Sequence, residues 1–123
     1  MELVIAPKAR SDIATILAWT HENFGPLTLK RYSKLIETAI AQIAANPDLA
    51  GSAKRPEIAD SCRTYHLFHS RKRAGTRANR IGDPRHFLLY RVTDAGVVEL
   101  GRVLHDSMDL LQHLPAEYRG ITE

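Results

Sequence analysis

His105, Asp106 and Ser107 stand side by side near the C-terminal end of the chain, three residues after Arg102. They are the residue types of a hydrolytic triad: a base, an orienting acid and a nucleophile. Adjacent residues of an extended strand point to opposite faces, so His105 and Asp106 do not converge while the chain stays extended. Triad members normally arrive from separate segments, and neither a strained elbow nor an oxyanion turn accompanies Ser107. The contiguous triplet is therefore weak support for a hydrolase. Strict alternation places Val98, Leu100, Arg102 and Leu104 on one face and Glu99, Gly101, Val103 and His105 on the other. The first set is expected to meet the helices, which brings the Arg102 guanidinium to the core or its edge. A permanent charge there needs a carboxylate or carbonyl partner, and Asp106 and Asp109 are the candidates for that polar anchor. Arg102 reads equally as an anchoring ion pair or as a functional cation. His105, on the freer face, reads as a strand-end residue or as a general base.

The second chemistry-bearing stretch is RKRAGTRANRIGDPR, residues 71–85, with six Lys or Arg and a single acid, Asp83. Gly75, Gly82 and Pro84 disfavour regular structure, so an extended, partly mobile arm is expected. Arg71, Lys72, Arg73, Arg77 and Arg80 would attract nucleic-acid phosphates or an acidic protein surface in a strongly salt-dependent way. No aromatic is interleaved, so base stacking is not expected. The same run reads as a solvated loop without a partner.

The elements that must position these residues follow from hydrophobic periodicity. At 123 residues, with 44% hydrophobic and 25% charged residues, the chain is expected to form one domain over 1–123 with a single core. Leu3–Ile5 suits a short strand stopped by Pro7. Ile13, Ile16, Leu17, Thr20 and Phe24 recur at helical spacing up to Gly25 and Pro26. A second stripe runs through Leu29, Tyr32, Ile36, Ala39, Ile40 and Ile43, with Thr28 as N-cap and Asn46 and Pro47 as the stop. So short a connection makes the two helices an antiparallel hairpin. TYHLFH (64–69), HFLLYRV (86–92) and VVELGRVLH (97–105) read as strands, the last two joined by the tight turn TDAG at 93–96. A short helical tail is expected near 108–114. The fold class is thus α+β: an N-terminal strand, a helical hairpin, then a three-stranded antiparallel sheet and a short C-terminal helix. Helices cover one face and leave the other free.

Cys62 is the single cysteine, which excludes an internal disulfide and a thiolate metal cluster and suits a packing role. No metal and no cofactor are expected. The first ten residues carry an acid and only a short apolar run, so neither a signal peptide nor a membrane span is expected, and a cytoplasmic location follows.

The order strand, helical hairpin, three strands, with RTYHLFH, HFLLYRV and GRVLHDSMDL, resembles the RelE/ParE family of type II toxin-antitoxin toxins across nearly the whole chain. It is most similar to the ParE branch, whose last strand reads Arg, Val, Leu, His before a Met-Asp pair. Here these are Arg102, Val103, Leu104, His105, Met108 and Asp109, and the Tyr90-Arg91 pair on the preceding strand also fits. The resemblance implies a cytoplasmic growth inhibitor neutralised by a cognate, ParD-like antitoxin whose C-terminal segment folds across a free apolar surface. ParE-like members are described as DNA gyrase inhibitors that act by protein binding. RelE-like members cleave messenger RNA on the ribosome, activating the ribose 2′-OH with basic residues and a His or Tyr. For that alternative Arg91, Arg102 and His105 are the candidates, although Leu104 stands at one of the places that a catalytic dyad would use. A non-toxic binding module of the same fold is the third reading. The basic insertion at 71–85 departs from the short turn usual in the family.

Overall fold

A computed structural model of the chain describes residues 1–108, 113 and 114. Strand β1 (Leu3–Ile5) leads into α1 (Pro7–Ala45), whose first turn is started by the fixed φ of Pro7. Inside α1, Gly25 adopts φ 85 and ψ 179, a combination open essentially only to glycine. Pro26 contributes to the break, because it pushes the preceding residue out of the helical region.

The ends of α1 prove that the chain reverses there. The Met1 ammonium donates to the Ala44 carbonyl at 2.9 Å. A straight helix of 39 residues would be about 58 Å long, whereas the six residues before Pro7 reach at most about 20 Å. The two arms therefore fold back as the expected hairpin. No GPLT loop intervenes, and the second arm resumes at Pro26 rather than being capped by Thr28.

The remaining strands are β2 (Ser52–Lys54), β3 (Cys62–His66), β4 (His86–Val92) and β5 (Val98–His105). Their order is β1-β5-β4-β3-β2, with β1 parallel to β5 and every other pair antiparallel. The fifth strand, β2, has no sequence signature: Ser-Ala-Lys lacks any β-branched residue, and the turn at Gly51 (φ 95) places it beside β3. At the β4–β5 hairpin the Thr93 N–H donates to the Val97 carbonyl at 2.8 Å, and Gly96 takes φ 78, as TDAG suggests. The expected strand at 64–69 instead ends at His66, followed by a 3-10 turn (Leu67–Ser70) and the one-turn helix α2 (Arg71–Ala74). The His66 ring caps that turn by accepting the Phe68 N–H at 3.0 Å. The expected C-terminal helix lies outside the described residues except at Met108, His113 and Leu114.

One irregularity inverts the alternation on which the sequence reading depends. Leu89 pairs with Arg102 but Tyr90 pairs with Leu100, so Gly101 is the extra residue of a β-bulge. Val98, Leu100 and Val103, together with Leu88, Tyr90 and Tyr65, therefore pack under the helices against Ala9, Leu35, Ile36, Ala39 and Ile43. Arg102 shares the face of its partner Leu89, which belongs to a second cluster with Ile58, Ala59 and Cys62. His105, opposite His86, shares the helix-covered face. Both facings are the reverse of those expected. The far side of the sheet is not left bare either, since Leu114 packs against this second cluster. Burial pushes the Cys62 thiol up to about 11, which leaves it an inert packing group.

Candidate functional site

A groove of about 650 Å³ opens between the first arm of α1 and the ends of β4 and β5. Ile16, Trp19 and Phe24 form its apolar wall, and Ile81 and Met108 contribute from the other side. Trp19 and Phe24 are 54% and 61% exposed, with ring centroids 5.6 Å apart in an edge-on arrangement. Phe24 fits the apolar stripe in sequence but lies at the end of the first arm, beyond the sheet, so it is not core. Two large adjacent aromatics left in water at a groove make an exposed apolar patch of the kind that interaction sites present.

The other end of the groove is polar and is built by the register. Pairing of His86 with His105 sets their rings 5.2 Å apart, edge to face. The Tyr32 hydroxyl, from the second arm of α1, meets His86 Nδ1 at 2.6 Å and accepts the Arg85 N–H at 3.3 Å. Burial pushes the Tyr32 phenol up to about 12, so it keeps its proton and donates to His86. Burial, with the neighbouring His105 second, lowers His86 to about 4. Asp106 accepts a forked contact from Arg85, at 3.0 Å to Nη2 and 3.2 Å to Nε, and a further bond from His66 Nε2 at 3.1 Å. Arg85, chiefly by hydrogen bonding, holds the Asp106 carboxyl down at about 2.

The hydrogen bonds fix which ring nitrogens carry protons. His66 Nδ1 accepts the Phe68 N–H, His86 Nδ1 accepts Tyr32, and His105 Nδ1 accepts the Ser107 N–H at 3.1 Å. In the neutral rings Nε2 therefore bears the hydrogen on all three, and each ring lone pair is already used within the chain. The Ser107 hydroxyl also lies 2.7 Å from His105 Nδ1, so Asp106 and Ser107 do not flank His105 as a triad would require.

The candidate ribonuclease residues are not brought together. Arg91 pairs with Glu99 at 2.9 Å on the far face, five residues and about 17 Å along β4 from His86. Arg102 is held by Asp12, not by Asp106: its Nε and Nη2 reach the two carboxylate oxygens at 2.7 and 3.0 Å, and Nη1 donates to the His113 carbonyl at 2.9 Å. Asp12 is available because β1 ends at Ile5, opposite Leu100, leaving the outer edge of β5 open. There it also accepts the Val103 N–H at 2.9 Å. Asp109 lies outside the described residues. Asp106 is engaged by Arg85 and His66, partners from elements remote in sequence.

The basic segment is also not a free arm. Arg71, Lys72 and Arg73 lie on α2, Ala74 and Pro84 are buried, and Ile81 packs against the main core. The Arg71 guanidinium sits 3.7 Å above the Phe68 ring. The Thr76–Asn79 turn is closed by the Asn79 side chain, which accepts from the Thr76 N–H at 2.9 Å and its hydroxyl at 2.7 Å. Trp19, Tyr32, His66, Arg85 and His86 are the site residues that sequence reasoning missed. Only the solitary tryptophan off the apolar stripe offered a signal for any of them.

A helical hairpin packed on one face of a five-stranded mixed sheet, with an apolar groove at one end, defines a small two-layer α+β domain. The family model for the ParE toxin of the type II toxin-antitoxin system parDE matches residues 3–110, and the chain belongs to that family. It is 27% identical over 111 residues to Toxin ParE1 of Mycobacterium tuberculosis strain CDC 1551 / Oshkosh, covering 90% of this chain and 95% of the relative. Toxin ParE1 of strain H37Rv matches equally, at 27% over the same 111 residues. Membership in this family implies an antitoxin partner. Among the described residues no helix is long and apolar enough to cross a membrane.

Proposed function

We propose that this toxin arrests growth in the cytoplasm by binding DNA gyrase, that it acts by protein contact rather than by catalysis, and that its antitoxin neutralises it by covering the groove. The observation that carries the reading is the pairing of exposed Trp19 and Phe24 with a polar end whose histidine lone pairs are all internally occupied. An apolar groove with exposed aromatics suits capture of an amphipathic segment, and a disordered antitoxin tail would fold on it.

The test is a supercoiling assay with purified protein, bacterial gyrase, relaxed plasmid and ATP. Inhibition with linear DNA accumulating is the expected result, and the double variant Trp19→Ala/Phe24→Ala weakens antitoxin binding at least tenfold while leaving the fold intact. Unaffected supercoiling at saturating protein refutes the gyrase target.

One feature favours the ribosome-dependent ribonuclease as a second reading: Nε2–H of His105 and the Arg85 guanidinium share one end of the groove and could hold a phosphate. It requires cleaved messenger RNA on ribosomes, abolished by His105→Ala. Overexpression without growth arrest would instead support a binding module that is no longer toxic.

A further inference from the structure

The charge of this chain is segregated. Residues 61–82 hold six of the 17 Lys and Arg and none of the 14 acids, so a net charge of +3 resolves into +6 in this segment and −3 elsewhere. Folding places five of these six cations on α2 and the following turn, while the sixth, Arg63, lies on β3 and pairs with Asp48 at 3.3 Å. The burial of Ala74 and Pro84, the packing of Ile81 and the Asn79-closed turn pin the segment at both ends. Lys72, Arg73 and Arg77 are exposed, and none of them has a carboxylate partner among the described residues. Like charges so close repel one another, and a chain that fixes them in place without counter-charges gains only when a polyanion supplies them.

We infer that α2 and the following turn, through Lys72, Arg73, Arg77 and Arg80, form a binding surface for the phosphate backbone of double-helical DNA. Duplex is favoured over single strands by what the surface lacks. Residues 71–85 contain no aromatic, and the adjacent exposed ring, Phe68, has one face covered by the Arg71 guanidinium. Single-strand recognition depends on aromatic platforms for unstacked bases, whereas duplex backbone contact needs only positioned cations. The Thr76 hydroxyl and the Asn79 side-chain oxygen are used in closing their own turn, which leaves cations to contact phosphates, so the binding is expected to be independent of sequence. The surface is distinct from the apolar groove. Its assignment stands whether or not gyrase is the target, because DNA binding is measured with no gyrase present.

The test is fluorescence anisotropy of the full chain with a labelled duplex of about 25 base pairs, repeated across a salt series. Four phosphate contacts give a slope of log affinity against log salt of about −3.6, a loss of roughly 150-fold between about 50 and 200 mM salt. The triple variant Lys72→Ala/Arg73→Ala/Arg77→Ala flattens the slope to about −1. A charge-matched control, Lys8→Ala/Arg10→Ala/Lys30→Ala, removes three exposed cations of α1 and leaves the slope unchanged. The single reversal Arg77→Glu provides a milder lesion should the triple variant fold poorly, and it weakens binding several-fold. Absence of duplex binding at low salt, equal losses in the control, tighter binding to single-stranded RNA, or displacement of DNA by poly-glutamate at equal charge would each overturn the assignment.

Discussion

Replacing Asp12 should destabilise the fold far more than its place on an exposed-looking helix turn suggests. Its carboxylate accepts from Arg102 Nε at 2.7 Å, Arg102 Nη2 at 3.0 Å and the Val103 N–H at 2.9 Å. The two side chains are only 13% and 12% exposed, so solvent screens the pair weakly. Asp12→Ala strands the Arg102 guanidinium and an edge N–H, that of Val103, which has no strand partner because β1 ends opposite Leu100. Removing one member of such a buried pair costs about 3–5 kcal/mol. With unfolding entropy near 2.1 cal/mol/K per residue over 123 residues, the melting temperature falls by about 12–19 °C. Asp12→Asn retains part of the hydrogen bonding and loses less. The comparison pair is Arg63–Asp48, at 3.3 Å but with Asp48 80% exposed, where Asp48→Ala should cost less than about 1 kcal/mol. Chemical denaturation of Asp12→Ala, Arg102→Met and the double variant measures the coupling, expected at about 2–3 kcal/mol. A cost for Asp12→Ala near that of Asp48→Ala, or additive single effects, would refute the reasoning.

Three further outcomes follow from other residues. Gly25→Ala has open space around the new Cβ, so its expected cost of about 1–3 kcal/mol is purely that of the backbone conformation; equilibrium unfolding at wild-type stability would show that the hairpin does not need this geometry. His86 should titrate near pH 4 by NMR with Nε2 protonated above that; because the unfolded ring takes up its proton near 6.5, this group's contribution is complete above pH 6.5 and is lost as pH falls to about 4. A His86 midpoint at 6.5 would contradict the buried, Tyr32-bonded ring. Asp106 should titrate near pH 2, its contribution complete above about 3.8 and lost as pH falls through 2; Arg85→Ala should raise that midpoint, and an unmoved midpoint would remove Arg85 as the cause.

The hairpin and strands β4 and β5 were legible because each rests on a local signal: helical periodicity, Gly-Pro punctuation and runs of β-formers around TDAG. The family could be recognised in Arg102, Val103, Leu104 and His105 for a similar reason, since they are contiguous. What the sequence could not supply was the phase of β5. A bulge at Gly101 costs one unpaired residue, and its only trace in the sequence is an isolated glycine within a strand, which marks a bulge or a close backbone approach alike; yet it reverses every facing beyond it. That single event sends Arg102 to Asp12, ninety positions away in the chain, and turns His105 toward Tyr32 and His86. The basic segment shows the same division. Its charge and missing acids were fixed by composition, whereas its anchoring depends on Ala74, Ile81 and Pro84 finding cover from elements distant in sequence. Local preferences decide which elements form; register and long-range burial decide which side chains meet, and the site belongs to the second kind of decision.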